Sequence, residues 1–325
     1  MHFLSASHLT RRQLLAAAHV IFLGLTGAVA AQEDLSAPPV VTAPAWALVD
    51  PRTQQILASV QGDEPRKSAS TTKLMCALVV LNLAEKDPAV LEERTTISKL
   101  ADATDGSTAG VKAGERVAVR DALYGLLLPS GNDLGNALAE HFNPRLQPPG
   151  SESPAALAEG AYRTRRNFVA EMNRTAARLG MKHTRYFLPY GDGGKPTDRT
   201  TTAHDLALLA CKAIENPLLK RIVATRIYKA KIGGSDGKDR SLTWTNTNQL
   251  LKQGYDGVKT GMTRAAGYCL IASGEQDGRP LVAVILGAPT EASRYADTRN
   301  LMRWWWAKSA PAAASRSASS GTSAQ

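Results

Sequence analysis

Strand patterns stand at the two ends of this chain with helical patterns between them, and that arrangement restricts the fold more than any other feature. Near the front, Trp46-Ala47-Leu48-Val49-Asp50 and Gln55-Ile56-Leu57-Ala58-Ser59 read as strands separated by a turn containing Pro51. Near the back, Gly267 to Ser273 and Leu281 to Leu286 flank Asp277-Gly278, a favoured hairpin pair. Between them, apolar residues recur at three- and four-residue intervals. They predict helices over Thr71 to Leu83, Val119 to Leu127, Asn132 to His141, Phe168 to Leu179 and Ala203 to Ile214. Thr202 and Ser130 supply start signals ahead of two of these. Glu291 to Trp306 predicts a helix lying back on the terminal strands. An α+β fold follows, with one antiparallel sheet assembled from both chain ends, a helical lobe inserted between them, and most of the intervening chain helical.

The 325 residues, 43% hydrophobic and 21% charged, suffice for a large core. Arg11-Arg12 ahead of the apolar run Leu14 to Val29, with Ala28-Val29-Ala30 beyond, mark residues 1–30 as an export signal. The run Thr10 to Leu15 also resembles a twin-arginine signal, which leaves the export route open. Residues 31–44, with Pro38-Pro39 and Pro44, read as a lead into a folded domain at 45–309, and the Ala- and Ser-rich residues 310–325 as a disordered tail. Both ends are expected to be flexible.

Cleavage would remove Arg11 and Arg12, lowering the formal charge of +10 by two. The excess of cations suits an anionic surface such as a cell wall or headgroups. Nucleic acid is disfavoured, because zinc-finger spacing and RNA-binding aromatic motifs are missing. Cys76, Cys211 and Cys269 are an odd number in apolar settings and read as small buried hydrophobes rather than a disulfide framework. Scattered histidines, without His-Glu-x-x-His or Cys-x-x-Cys, argue against a metal, and no cofactor is expected.

Three short motifs carry chemistry. Ser70 stands where Arg66-Lys67-Ser68-Ala69 gives way to an apolar helix, and Lys73 lies one turn on along the same face. That spacing brings an amine to about 3 Å from the hydroxyl, as a general base requires. Ser130-Gly131-Asn132 follows the apolar Tyr124 to Leu128 and Pro129, a helix end that turns through glycine. Lys259-Thr260-Gly261 precedes the C-terminal hairpin. On a strand, Lys259 and Gly261 share a face, and glycine there leaves room for a substrate strand to pair. Taken singly, each is an ordinary cap, turn or strand edge.

Together, this Ser-x-x-Lys, Ser-x-Asn and Lys-Thr-Gly set resembles that of class A β-lactamases and penicillin-binding proteins, with Gly131 in place of their Asp. The chain further resembles the low-molecular-mass D-alanyl-D-alanine carboxypeptidases over about residues 45–306. Ala69 to Met75, Leu126 to Asp133, Asn136 to His141, Asp256 to Thr263 and Ala266-Gly267-Tyr268 carry the likeness. The resemblance implies a penicillin-binding-protein/β-lactamase-like fold. It implies Ser70 as nucleophile, Lys73 as base with a depressed pKa toward which Lys259 in the same cleft would act, and Ser130 as proton relay. It also implies Asn132, Lys259, Thr260 and Gly261 as substrate contacts, with the backbone N–H groups of Ser70 and Met262 as oxyanion hole. Peptidoglycan stem peptides would be the substrates and β-lactams the acylating inhibitors, in a periplasmic setting.

Departures from the family are local. Asn143 to Arg166 is longer than usual and reads as a surface excursion in preference to a lid. Phe187-Leu188-Pro189-Tyr190-Gly191 stands where the family shows a polar residue before proline and His-Gly after it. The chain ends soon after Trp306, without the further β domain and amphipathic helix of many relatives, so no stable membrane anchor is expected. The Trp304-Trp305-Trp306 run is expected to pack in part against the sheet. Alternatives are a D,D-endopeptidase, a β-lactamase, for which no Glu-x-x-Leu-Asn run lies between Ser130 and Lys259, and a catalytically silent cell-wall-binding protein.

Overall fold

The computed structural model describes residues 35–153, 162–192 and 200–310. The signal assigned to residues 1–30 and nearly all of the tail lie outside these. Strands β1 (Ala45–Val49) and β2 (Ile56–Val60) form an antiparallel hairpin. A 3-10 turn, Ala69–Thr71, leads into helix α1 (Thr72–Lys86), followed by β3 (Arg94–Thr96), α2 (Lys99–Asp102), β4 (Arg116–Ala118), α3 (Val119–Leu127) and α4 (Asn132–Phe142). Next come α5 (Arg166–Arg178), α6 (Ala203–Glu215), α7 (Pro217–Ala224), β5 (Ile227–Gly233) and β6 (Arg240–Thr245). The chain closes with β7 (Gly257–Thr263), β8 (Gly267–Gln276), β9 (Arg279–Ala288) and α8 (Glu291–Lys308).

The main sheet has the order β2-β1-β9-β8-β7, so the chain's last hairpin joins its first, with Ala47 opposite Val284. Alternate residues serve two cores. Ala45, Ala47, Val49, Val282, Val284 and Leu286 pack toward α1 and α6, while Trp46, Leu48, Ala283 and Ile285 join Tyr295, Leu301 and Met302 of α8. Burial on both faces explains why β9 reads as a continuous apolar run rather than an alternating one. Helix α1 is buried from Thr72 through Leu81 and forms the axis of the helical lobe.

A second antiparallel sheet, ordered β3-β4-β5-β6, corrects the expectation of a mainly helical middle. Strands β3 and β4 are three residues each, too short to show alternation. Thr202 caps α6 as expected, its side chain accepting from the Asp205 N–H. Ser130 does not cap α4; Gly131 holds that place, and no side chain caps the helix.

The described part of the lead is held rather than loose. Asp297 of α8 accepts from Thr42 N, Thr42 Oγ1 and Ala43 N, and the Trp304 indole donates to Leu35 O. Trp304 and Trp306 are buried and Trp305 half-buried, in keeping with packing on the sheet. From Asn143 to Ser153 the long segment lies along α5, where Arg174 donates to the carbonyls of Gln147 and Pro148. Its stretch 154–161 is outside the described residues. The three cysteines are free and buried. Among the described residues, no helix is long and apolar enough to cross a membrane.

Candidate active site

Four pieces converge where the two lobes meet: the Ala69–Thr71 turn with the start of α1, the α3–α4 loop, the loop at Tyr190 to Asp192, and β7, an edge strand of the main sheet. Ser70 lies in the turn. Ala69 ahead of it has φ +46°, a left-handed conformation unusual for a residue bearing a Cβ. Such strain is often found where a side chain must be aimed.

Lys73 is fully buried, and its Nζ lies 2.9 Å from Ser70 Oγ, 2.7 Å from Asn132 Oδ1 and 2.6 Å from Tyr190 O. Loss of water on burial lowers its pKa to about 7, against the opposing pull of Cys76, Asp133 and Asp192. Burial is the first cause of that depression. Repulsion between the two buried lysines is mutual and acts in the same direction, as the sequence led one to expect of Lys259. The Lys259 pKa is driven well down by burial, then by Lys73 and Arg294. In this state Lys259 Nζ donates to Thr260 O at 2.9 Å, and Thr260 Oγ1 lies 2.6 Å from Thr247 Oγ1.

Ser130 is buried, with φ +67° and a hydroxyl that has no hydrogen-bond partner among the described residues. Ser130 is therefore the left-handed residue of this turn, whereas the sequence pointed to Gly131. What Gly131 supplies is space: a Cβ there would lie 2.5 Å from Asp133 Oδ1 and 2.8 Å from Ala109 Cβ. The Asn132 amide is occupied at both ends, its Nδ2 donating to Asp105 O at 2.6 Å. Nδ2 carries a second hydrogen, and through it a substrate can be contacted with that bond intact.

Gly261 also serves differently from expectation. A Cβ on it would lie 3.1 Å from Ala69 Cβ and from Ser70 N, so the missing side chain admits the nucleophile turn rather than a substrate strand. This contact sets the peptide following Gly261, whose N–H belongs to Met262, beside the Ser70 turn. The Met262 side chain itself is exposed.

Three residues here escaped the sequence reading. Tyr190 acts through its carbonyl, which any residue would supply, so no signal could reveal it. Asp192 bonds to Ala69 N at 2.8 Å and to Thr263 Oγ1 at 3.0 Å. Arg294 of α8 is buried and donates to Gly261 O and Cys269 O, with Glu291 and Tyr295 Oη on its other nitrogen. Its signal was available: Arg294 falls on the face of α8 shared by Thr298 and Leu301, a charge on a buried stripe. Among the described residues, no group of three or more His, Cys, Asp or Glu converges as a metal centre would require.

A serine on a strained turn, bonded to a buried lysine one helical turn on and backed by a sheet edge, has the geometry that Ser–Lys acyl transfer requires. The family model of D-alanyl-D-alanine carboxypeptidases matches residues 31–145 and 149–290, and the chain belongs to that family. It is 34% identical over 296 residues to the D-alanyl-D-alanine carboxypeptidase of Streptomyces sp. strain K15, covering 87% of this chain and 96% of that one. The carboxypeptidase DacD of Escherichia coli is 31% identical over 310 residues, or 90% of this chain and 71% of DacD. A D-alanyl-D-alanine endopeptidase of the same organism is 28% identical over 278 residues, 85% of this chain and 80% of its own length. Among solved structures, the Streptomyces K15 DD-transpeptidase superposes with a TM-score of 0.73 at 31% identity, over 83% of this chain and 99% of that one. The penicillin-binding-protein-like fold expected from the motifs is the fold observed.

Proposed function

We propose that the chain is a serine-type D-Ala-D-Ala carboxypeptidase that removes the terminal D-alanine of peptidoglycan pentapeptides through an acyl-enzyme on Ser70. The observation that carries the reading is the set of three bonds at Lys73 Nζ. A protonated Lys73 spends one N–H on each of Ser70, Asn132 and Tyr190. Once a proton is lost, two N–H groups hold Asn132 and Tyr190, and the lone pair faces Ser70 Oγ. Burial makes that neutral form accessible near pH 7.

The chemistry follows from this arrangement. Ser70 Oγ gives its proton to Lys73 and attacks the carbonyl between the two terminal D-alanines. The oxyanion is held by the backbone N–H groups of Ser70 and Met262. Ser130, with its hydroxyl unclaimed, passes a proton to the departing amine, and water then releases the shortened peptide. Asn132 aligns the peptide backbone. Lys259 and Thr260, on the Gly261 strand, take the terminal carboxylate, and its charge restores the proton that burial disfavours on Lys259. β-Lactams acylate Ser70 by the same route. No cofactor enters these steps.

Residues 1–30 direct the chain across the inner membrane to the periplasm, with 45–309 as the catalytic domain. N-terminal sequencing of the exported protein tests the signal: a new terminus following Ala30 supports it, and an intact Met1 overturns it. Activity is tested with a pentapeptide ending in D-Ala-D-Ala beside a cross-linked peptide dimer. Free D-alanine from the pentapeptide is the expected result. Cleavage of the dimer alone would make the chain an endopeptidase, and rapid penicillin turnover would make it a β-lactamase.

A further inference from the structure

We infer that Asp192 is a positioning residue that fixes the span between the nucleophile turn and the end of β7, and with it the shape of the oxyanion site. The inference rests on the Ser70 reading above. One oxygen of Asp192 accepts from Ala69 N at 2.8 Å and from Ser68 Oγ at 3.2 Å; the other accepts from Thr263 Oγ1 at 3.0 Å. Ala69 immediately precedes Ser70, and Thr263 immediately follows Met262. Each proposed oxyanion donor therefore stands one residue from an Asp192 anchor, on opposite walls of the site.

The two contacts between these walls act in opposite senses. Gly261 against Ala69 Cβ and Ser70 N limits how closely β7 can approach the turn. Asp192 limits how far it can withdraw. The same carboxylate holds the N–H of Ala69, the residue whose left-handed backbone aims Ser70. Thr263 is itself fixed, since its hydroxyl accepts from Ala266 N at 3.0 Å, and Ser68 Oγ rests 2.8 Å from Thr72 Oγ1. None of these Asp192 bonds goes to Ser70 Oγ or Lys73 Nζ, so apart from its charge near Lys73 it acts through geometry, and rates are compared at a pH above the Lys73 limb. A site whose donors must meet a developing oxyanion within a few tenths of an ångström depends on such a staple.

The test compares D192A and D192N with the parent protein by penicillin acylation rate, by affinity for a peptide boronic acid that places an oxygen in the oxyanion site, and by moles of label per chain. D192A is expected to acylate about tenfold or more slowly and to lose boronate affinity by the same factor, at full labelling stoichiometry. D192N keeps an oxygen for Ala69 N and is expected to stay within about threefold of the parent. Should D192A not fold, Thr263→Val breaks the staple from the other wall and must show the same paired loss, whereas Thr263→Ser must not. A D192A protein that acylates at the parental rate, or whose loss is only a smaller labelled fraction with boronate affinity unchanged, overturns the inference. A parent protein that takes no label overturns the Ser70 reading, and the inference with it.

Discussion

Lys73 Nζ lies 2.9 Å from Ser70 Oγ with the lysine fully buried, and in the proposed mechanism the acid–base state of that pair governs reactivity. The Lys73 pKa falls from 10.5 to about 7, so the amine is protonated and unable to accept below that pH, and free to accept above it. The penicillin acylation rate is expected to rise with pH through a midpoint near 7. Lys73→Met should slow acylation by about 10²–10⁴-fold and remove that limb. Stopped-flow rates between pH 5 and pH 9 check both.

The same limb reports the charges around Lys73. The carboxylates of Asp133 and Asp192 favour its proton, while burial opposes it. Removing one carboxylate with D192N should move the limb to lower pH. A limb that moves upward would contradict this sign.

Gly261→Ala places a Cβ 3.1 Å from Ser70 N and from Ala69 Cβ. Because the neighbours are backbone and a short side chain, the turn must shift. Acylation should slow by about tenfold or more, with a stability loss of about 1–3 kcal/mol, read from stopped flow and denaturant melts.

Gly131→Asp would restore the Ser-Asp-Asn triplet of related motif sets, and here it is expected to harm. Its Cβ would lie 2.5 Å from the Asp133 carboxylate, which is buried and accepts from Ala109 N and Thr108 Oγ1. A fall of about 1–3 kcal/mol in unfolding free energy is predicted. Unchanged stability would contradict the packing argument.

Asp297→Ala leaves the N–H groups of Thr42 and Ala43 without their acceptor. A loss of about 1–3 kcal/mol is expected. Limited proteolysis should quicken within residues 35–44, while penicillin labelling of Ser70 persists.

The site was legible in the sequence where function depends on residue type at short spacing. Ser70 with Lys73, Ser130 with Asn132, and Lys259 with Gly261 are each close in the chain, so one turn or one strand suffices to place them. The terminal sheet was equally legible, because β8 and β9 are ten residues each and flank Asp277-Gly278. Legibility failed where a partner is distant or anonymous. Asp192 meets Ala69 across 123 residues, and Tyr190 contributes a carbonyl common to every residue type. The roles of Gly131 and Gly261 were misread because a glycine's neighbours are set by packing, which spacing does not reveal.

The central claim, acylation at Ser70, is tested most directly by treating the protein with labelled penicillin and mapping the adduct by mass spectrometry of a digest. One penicilloyl group per chain, confined to the peptide containing Ser70 and lost in Ser70→Ala, is the predicted result. An adduct on another residue, or one that persists in Ser70→Ala, would contradict the account.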